Sequence, residues 1–171
     1  MENTYFDESF LERPSNLDEL KKELINLNQR LEKEKDSLRI IDLNLNIGRC
    51  SRVLNLCEQS EPNLLCAYDQ AKQYKYADLF FSASKQLGIL YFIQKRYIKA
   101  DEYLLKCVKI SNKTQQYKDQ LAKVFLYMAL SKKDQKQISY AKDYTQKAVE
   151  LSIEMGKLDL LEVCKKFLHT I

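Results

Sequence analysis

The chain has 171 residues, of which 45% are hydrophobic and 30% are charged, and its formal net charge is +4 at pH 7. With only 3 glycines and 2 prolines it lacks the turn residues of an all-β fold, so the composition favours a helical protein with a hydrophobic core. No run of about 18 apolar residues occurs, and no membrane span is expected.

The first segment, residues 1–15, is predicted to be a flexible tail that is both acidic and aromatic. Its acidic, polar start argues against a secretory signal or a mitochondrial presequence. A second hypothesis is that the tail is an arm that docks on a partner or on a basic surface of the same chain. Aromatic anchors flanked by carboxylates suit such a surface. The residues of this possible docking arm are Tyr5, Phe6, Phe10 and Leu11.

A leucine stripe over residues 17–45 begins the helical domain, which is predicted to span 16–171. Asn16 can cap the first helix, and Glu19, three residues later, completes a capping box. One interpretation of the stripe is a coiled coil that dimerises the chain. The other is a helix pair that packs within the chain. We favour the second, because Glu34 interrupts the register and leaves fewer than four continuous heptads.

The helices that follow are separated by short loops, which imply antiparallel neighbours. Ser60-Glu61-Pro62 is expected to end the second helix, with Pro62 in the first turn of the third. Gly156 is expected to cap the next-to-last helix. These helices are predicted at about 37–57, 62–74, 76–94, 98–112, 115–133, 138–155 and 157–170.

Pairs of small residues recur along these helices with a period of about 40 residues. The two members of each pair are twelve residues apart, which places two of the pairs on successive predicted helices and the third between a helix and the break that follows it. Only small side chains let two antiparallel helices approach closely where they cross. The pairs are Gly48 with Ser60, Gly88 with Ala100, and Ala129 with Ala141.

The residues around Gly88 resemble the tetratricopeptide motif. Leu87-Gly88 and Tyr91 match the L-G-x₂-Y of its first helix, and Ala100 and Leu104 match the A-x₃-apolar of its second. The chain therefore resembles the tetratricopeptide repeat superfamily, in a long-period form similar to kinesin-light-chain-type repeats. The resemblance implies an all-α solenoid of antiparallel helix pairs. The repeats would span about 36–75, 76–114 and 115–156, with a capping helix at 157–171.

In tetratricopeptide proteins the inner helix of each pair lines a concave groove that binds a partner. Residues 1–36 hold 10 acidic and 6 basic residues, giving −4, whereas 37–171 hold 14 acidic and 22 basic residues, giving +8. A basic groove with an apolar floor suits an acidic or amphipathic peptide or helix, although several of its positions would be core if the groove is filled. The groove residues that the motif positions imply are Arg49, Arg52, Lys85, Ile89, Phe92, Ile93, Lys123, Leu126 and Leu130.

No catalytic or metal-binding set of residues is predicted, so neither enzyme activity nor a cofactor is expected. His169 is the only histidine, and the five cysteines form no C-x-x-C pair. Scattered cysteines are typical of reduced thiols inside the cell, so a cytoplasmic location is expected, including a cytoskeletal or ciliary assembly. The lysines at 132, 133 and 136 are predicted to be an ordinary solvated face, and no nucleic-acid partner is expected.

The sequence thus predicts a non-catalytic scaffold or adaptor subunit of a larger complex, which binds a protein partner. Two other functions remain open. One is a structural subunit that dimerises through the stripe at 17–45, although self-association is not the favoured interpretation. The other is a regulatory tetratricopeptide domain that senses a signalling peptide.

Overall fold

The computed structural model describes residues 4–114 and 116–171. Eight helices and one short hairpin occur in this part of the chain. In chain order they are β1 (Thr4–Phe6), β2 (Glu12–Pro14), α1 (Leu17–Leu31), α2 (Ser37–Val53), α3 (Cys57–Gln73), α4 (Ala77–Ile93), α5 (Tyr97–Thr114), α6 (Lys118–Asp134), α7 (Ile138–Glu154) and α8 (Leu158–Leu168). The chain divides into two compact units, unit 1 (Met1–Leu90) and unit 2 (Tyr91–Ile171), and the division falls inside α4.

The leucine stripe packs within unit 1, as the favoured interpretation predicted. Asn16 caps α1, since its side-chain oxygen accepts a hydrogen bond from the backbone N–H of Glu19 at 3.1 Å. Asp36 caps α2 in the same way through the N–H of Arg39, so the stripe is divided into two helices close to Glu34. The two helices share one apolar cluster, formed by Leu24, Leu27, Leu43, Ile47 and Cys50.

Five helix ends share one turn geometry, which explains the period of about 40 residues. After each helix a residue with φ between 59° and 64° reverses the chain. The next N–H then donates to the carbonyl five residues back, as from Leu56 to Ser51 at 2.8 Å. Helices of 17 residues with three-residue links give twenty residues per helix and forty per pair, against 34 in the common tetratricopeptide repeat. The turn residues are Asn55, Lys75, Lys95, Lys136 and Gly156.

The link between α2 and α3 differs from the prediction, which placed the break at Ser60-Glu61-Pro62. The structure places Pro62 inside α3, where its missing N–H removes one backbone hydrogen bond. The link is instead centred on Asn55, whose φ of 62° is left-handed. Asparagine tolerates this conformation better than most residues, so Asn55 was the stronger signal in the sequence.

Unit 1 confirms the close helix approach that the small residues predicted. A Cβ added to Gly48 would lie 2.5 Å from the Cγ and the Cδ2 of Leu64 on α3. The Ser60 hydroxyl donates a hydrogen bond to the Gly48 carbonyl at 2.7 Å. Gly48 and Ser60 therefore mark the contact between α2 and α3, and there is no room there for a larger residue at position 48.

In unit 2 each helix from α5 to α8 packs against the next. Asp101 of α5 joins α5 to α6, because its carboxylate accepts hydrogen bonds from Ser131 Oγ (2.8 Å), Lys132 Nζ (2.6 Å) and Gln135 Nε2 (3.0 Å). Lys132 belonged to the lysine cluster that was predicted to be solvated. The structure instead pairs it with Asp101, with both side chains more than four-fifths buried.

Residues 4–14 form an antiparallel hairpin where the sequence predicted a flexible tail. Asp7 shapes its loop, since its carboxylate accepts from the N–H groups of Ser9 and Leu11 at 2.9 Å and from Arg13 Nε at 2.7 Å. Burial alone would raise the pKa of Asp7, but these hydrogen bonds together hold it below its ordinary value. Strands of three residues are too short to produce a detectable alternation, so periodicity did not reveal the hairpin.

Candidate partner-binding surfaces

The nine residues predicted to line a groove lie on α2, α4 and α6, and only four of them are accessible. Arg49 and Lys85 in unit 1, and Ile93 and Lys123 in unit 2, are half-buried. The other five are buried: Arg52, Ile89, Phe92, Leu126 and Leu130. Motif positions alone do not separate a groove floor from a core, because both are apolar positions on the same helix.

Arg52 is held by a buried ion pair with the hairpin. Its side chain is 0% exposed and that of Glu12 is 3% exposed. Arg52 Nη2 donates to Glu12 Oε2 at 2.5 Å, and Arg52 Nε donates to Gln86 Oε1 at 3.0 Å. Thr4 Oγ1 donates to the second Glu12 oxygen at 3.0 Å. These contacts connect both strands of the hairpin with α2 and α4, and they neutralise a charge that was predicted to meet a partner.

The hairpin thus contacts α2 of its own chain through Glu12, one of the carboxylates that flank the predicted aromatic anchors. The four residues of the possible docking arm belong to the same hairpin. Tyr5 is 54% exposed, whereas the other three, Phe6, Phe10 and Leu11, are half-buried. The acidic tail and the basic remainder of the chain indicated such attraction in general, but no spacing rule identifies which carboxylate meets Arg52.

Arg49 lies three residues before Arg52, at the edge of a small cavity of about 40 Å³. Thr4 of the hairpin and Leu20 and Glu23 of α1 also line this cavity. Cys50 lies in the same wall, and burial raises the pKa of its thiol to about 11. The thiol is therefore neutral at physiological pH and unsuited to nucleophilic chemistry. The charged groups that line the cavity are Arg49, which is half-buried, and Glu23, which is exposed.

In unit 2 most of the predicted groove residues contribute to packing. The Phe92 ring meets the Tyr127 ring edge-on, with the centroids 5.7 Å apart. Leu126 and Leu130 of α6 are buried. Lys123, on the same helix, is half-buried and is the one charged residue among the predicted groove positions of this unit.

Neither a metal site nor a membrane helix is found in the described part of the chain. Among residues 4–114 and 116–171, no three His, Cys, Asp or Glu side chains come together as metal ligands would. In the same ranges, no helix combines the length and the apolar character that crossing a bilayer requires.

No protein-family model matches the sequence, and no curated protein matches it. Among solved structures, the chain is similar to the crystal structure of BtubC (BKLC) from P. vanneervenii, a kinesin-light-chain-like tetratricopeptide protein. The TM-score is 0.62 at 17% identity, and the match covers 82% of this chain and 57% of that one. The chain thus spans just over half the length of that protein, and the likeness concerns the fold. The fold is therefore an all-α, tetratricopeptide-type solenoid of helix pairs, similar to kinesin-light-chain-like repeats.

Proposed function

We propose that this chain is a non-catalytic scaffold or adaptor subunit that binds a partner protein within a larger complex. The observation that carries this proposal is the tetratricopeptide-type fold, which is typically non-catalytic. Stacked helix pairs of this kind present extended surfaces for binding. Because one fold serves many functions, the residues on its accessible faces must carry the specificity.

The proposal has a partner-binding surface on each unit, formed by accessible residues of α2 and α4 in unit 1 and of α4 and α6 in unit 2. Arg49 and Lys85 provide the cations in unit 1, and Lys123 with Ile93 provides a cation and an apolar contact in unit 2. Guanidinium and ammonium groups form charge-assisted hydrogen bonds with carboxylates, so these residues suit an acidic or amphipathic partner segment. Arg52 does not contact the partner in this proposal, because Glu12 already occupies it.

The test is a pull-down from native extract followed by mass spectrometry. The variant is Arg49→Glu/Lys85→Glu, which reverses two accessible inner-helix charges and leaves the buried pair intact. Its matched control is Lys22→Glu/Lys72→Glu, which makes the same change in net charge at two exposed positions of α1 and α3. Circular dichroism and thermal unfolding establish that both variants are folded.

We expect the wild type and the control to retain one set of partners, and the inner-helix variant to lose it by about tenfold or more. A tenfold loss corresponds to about 1.4 kcal/mol, a modest value for two reversed charges. Retention of the same partners by both variants would refute binding through the inner helices. Equal loss from both would show that net charge governs binding and that position does not.

A further inference from the structure

Unit 2 contains a second surface, formed by residues of α5, α6 and α7. An open cavity of about 290 Å³ lies there, between the last turn of α5, the first two turns of α6 and the second half of α7. This volume is at the lower limit of small-molecule sites, which begin at about 300 Å³. The cavity therefore suits one large side chain of a macromolecular partner better than a complete small ligand.

The floor of this cavity is apolar and well packed. Leu121 and Phe125 of α6 are 6% and 8% exposed, and Leu151 of α7 is half-buried beside them. The Tyr144 ring stacks on the Phe125 ring, with the centroids 6.0 Å apart and the planes inclined by 17°. Such a floor favours an apolar side chain and fixes the place where it would bind.

The rim of the cavity contains one internal ion pair and one cation without an anionic partner. Lys118 Nζ and Glu154 Oε1 are 3.0 Å apart and pair with each other. Lys147 Nζ lies 5.7 Å from the centre of the Phe125 ring and 5.5 Å from that of Tyr144. Among residues 4–114 and 116–171, Lys147 forms no ion pair, so its positive charge is available to a carboxylate of a partner.

A carboxylate of the rim is available as well, one helical turn further along α7. Glu150 accepts a hydrogen bond from Gln146 Nε2 at 3.1 Å, but it meets no cation within the described ranges. Lys147 and Glu150 thus place opposite charges side by side above the apolar floor. A uniformly acidic segment would be repelled by Glu150, and a uniformly basic one by Lys147.

We propose that this surface binds an amphipathic helix of a partner protein, one that carries a large aliphatic side chain together with a carboxylate and a cation on the same face. The aliphatic side chain fills the cavity, the carboxylate meets Lys147 and the cation meets Glu150. A helix is the favoured occupant because residues three and four apart share one face, which matches the spacing of the two rim charges. This surface is separate from the inner-helix residues of the proposed function.

The test uses the full chain and two fluorescent, stapled helical peptides of equal composition. In the first peptide a glutamate stands four residues before a lysine, and in the second peptide the lysine stands four residues before the glutamate. In both peptides a leucine directly precedes the second of the two charged residues. We expect one order to bind about fivefold or more tightly than the other in anisotropy titrations. The variant Lys147→Glu/Glu150→Lys should reverse that preference, since it exchanges the two rim charges while keeping the net charge.

Two controls establish whether the peptides bind at this surface. Replacing the peptide leucine by alanine should weaken binding about tenfold or more, because the apolar contact is lost. Leu151→Ala in the chain should weaken both peptides, whereas Arg49→Glu/Lys85→Glu should leave both unchanged. A failure of this proposal, on the cavity in unit 2, can thus be distinguished from a failure of the proposed function, which depends on Arg49 and Lys85.

The proposal is overturned if neither peptide binds saturably at about 1 mM, or if the charge exchange leaves the preference unaltered. Sedimentation equilibrium supplies a further outcome. A dimer that the charge exchange abolishes would identify a second copy of this chain as the occupant, and would overturn the assignment to a partner helix.

Discussion

The buried ion pair between Glu12 and Arg52 allows a quantitative prediction through the variant Glu12→Gln. Glutamine keeps the shape of the side chain but removes the charge, so the Arg52 guanidinium stays buried without an anion. Removing one partner of a buried pair costs about 3–5 kcal/mol. The 2.5 Å contact and the nearly complete burial of both side chains place this pair in that class. For a chain of 171 residues, each kcal/mol lowers the Tm by about 2–4 °C.

The assay combines guanidinium unfolding, followed by circular dichroism, with hydrogen exchange of the amides in residues 4–14. We expect a lower free energy of unfolding and faster exchange in the hairpin, because its detachment lets Arg52 regain water. Glu8→Gln is the matched control, since Glu8 is an exposed carboxylate of the same loop, and its effect should stay within about 0.5 kcal/mol. In the double variant Glu12→Leu/Arg52→Met both charges are absent, and most of the lost stability should return.

The reasoning would be refuted if Glu12→Gln unfolded like the wild type and kept the same exchange rates in the hairpin. It would also be refuted if the destabilisation of the double variant equalled the sum of those of Glu12→Leu alone and Arg52→Met alone. Additivity would mean that the two side chains do not interact in solution.

Three further predictions concern packing, turns and thiols. Gly48→Ala should destabilise the chain by about 1–3 kcal/mol in guanidinium unfolding, because the added Cβ would lie 2.5 Å from Leu64. The double variant Gly48→Ala/Leu64→Ala should lose less stability than the two single variants combined, and strict additivity would contradict the clash. Glycine in place of the three lysines in left-handed turns, Lys75, Lys95 and Lys136, should raise the Tm by a few degrees, since each non-glycine residue there costs about 1 kcal/mol. A lower Tm would show that the lysine side chains stabilise the turns. Iodoacetamide at pH 8 should modify Cys50 and Cys164 only as the protein unfolds, because burial raises their pKa values to about 11 and about 12. Labelling of either residue in the folded protein, detected by peptide mass spectrometry, would contradict this.

Much of the fold was predictable because it depends on local rules. Asn16 caps α1, as its capping-box position predicted, and Gly48 lies against Leu64 on the next helix, as a small residue at a crossing should. The predicted end of α2 was wrong because Pro62 lies inside α3 and the chain reverses at Asn55 instead. A proline can remain inside a helix at the loss of one hydrogen bond, whereas a left-handed residue ends the helix.

The candidate site was less predictable, because a motif position specifies a place on a helix and leaves the neighbours undetermined. Lys85 and Lys123 stay accessible, but Leu126, from the same set of positions, is buried in unit 2. The cavity beside Lys147 was not predictable from the sequence, since its lining residues come from three helices and follow no common spacing.

The sequence by itself determined the helical class, the forty-residue period and the small residues at the helix crossings. Those features rest on helix periodicity and on the space available between neighbouring helices, which act over a few residues or one repeat. Only the tertiary structure decided which charges remain available to a partner. Arg52 and Glu12 are forty residues apart, and their pairing depends on how the hairpin, α2 and α4 come together in unit 1. A charge in water is open to a partner, whereas the same charge buried against its counterion is already neutralised.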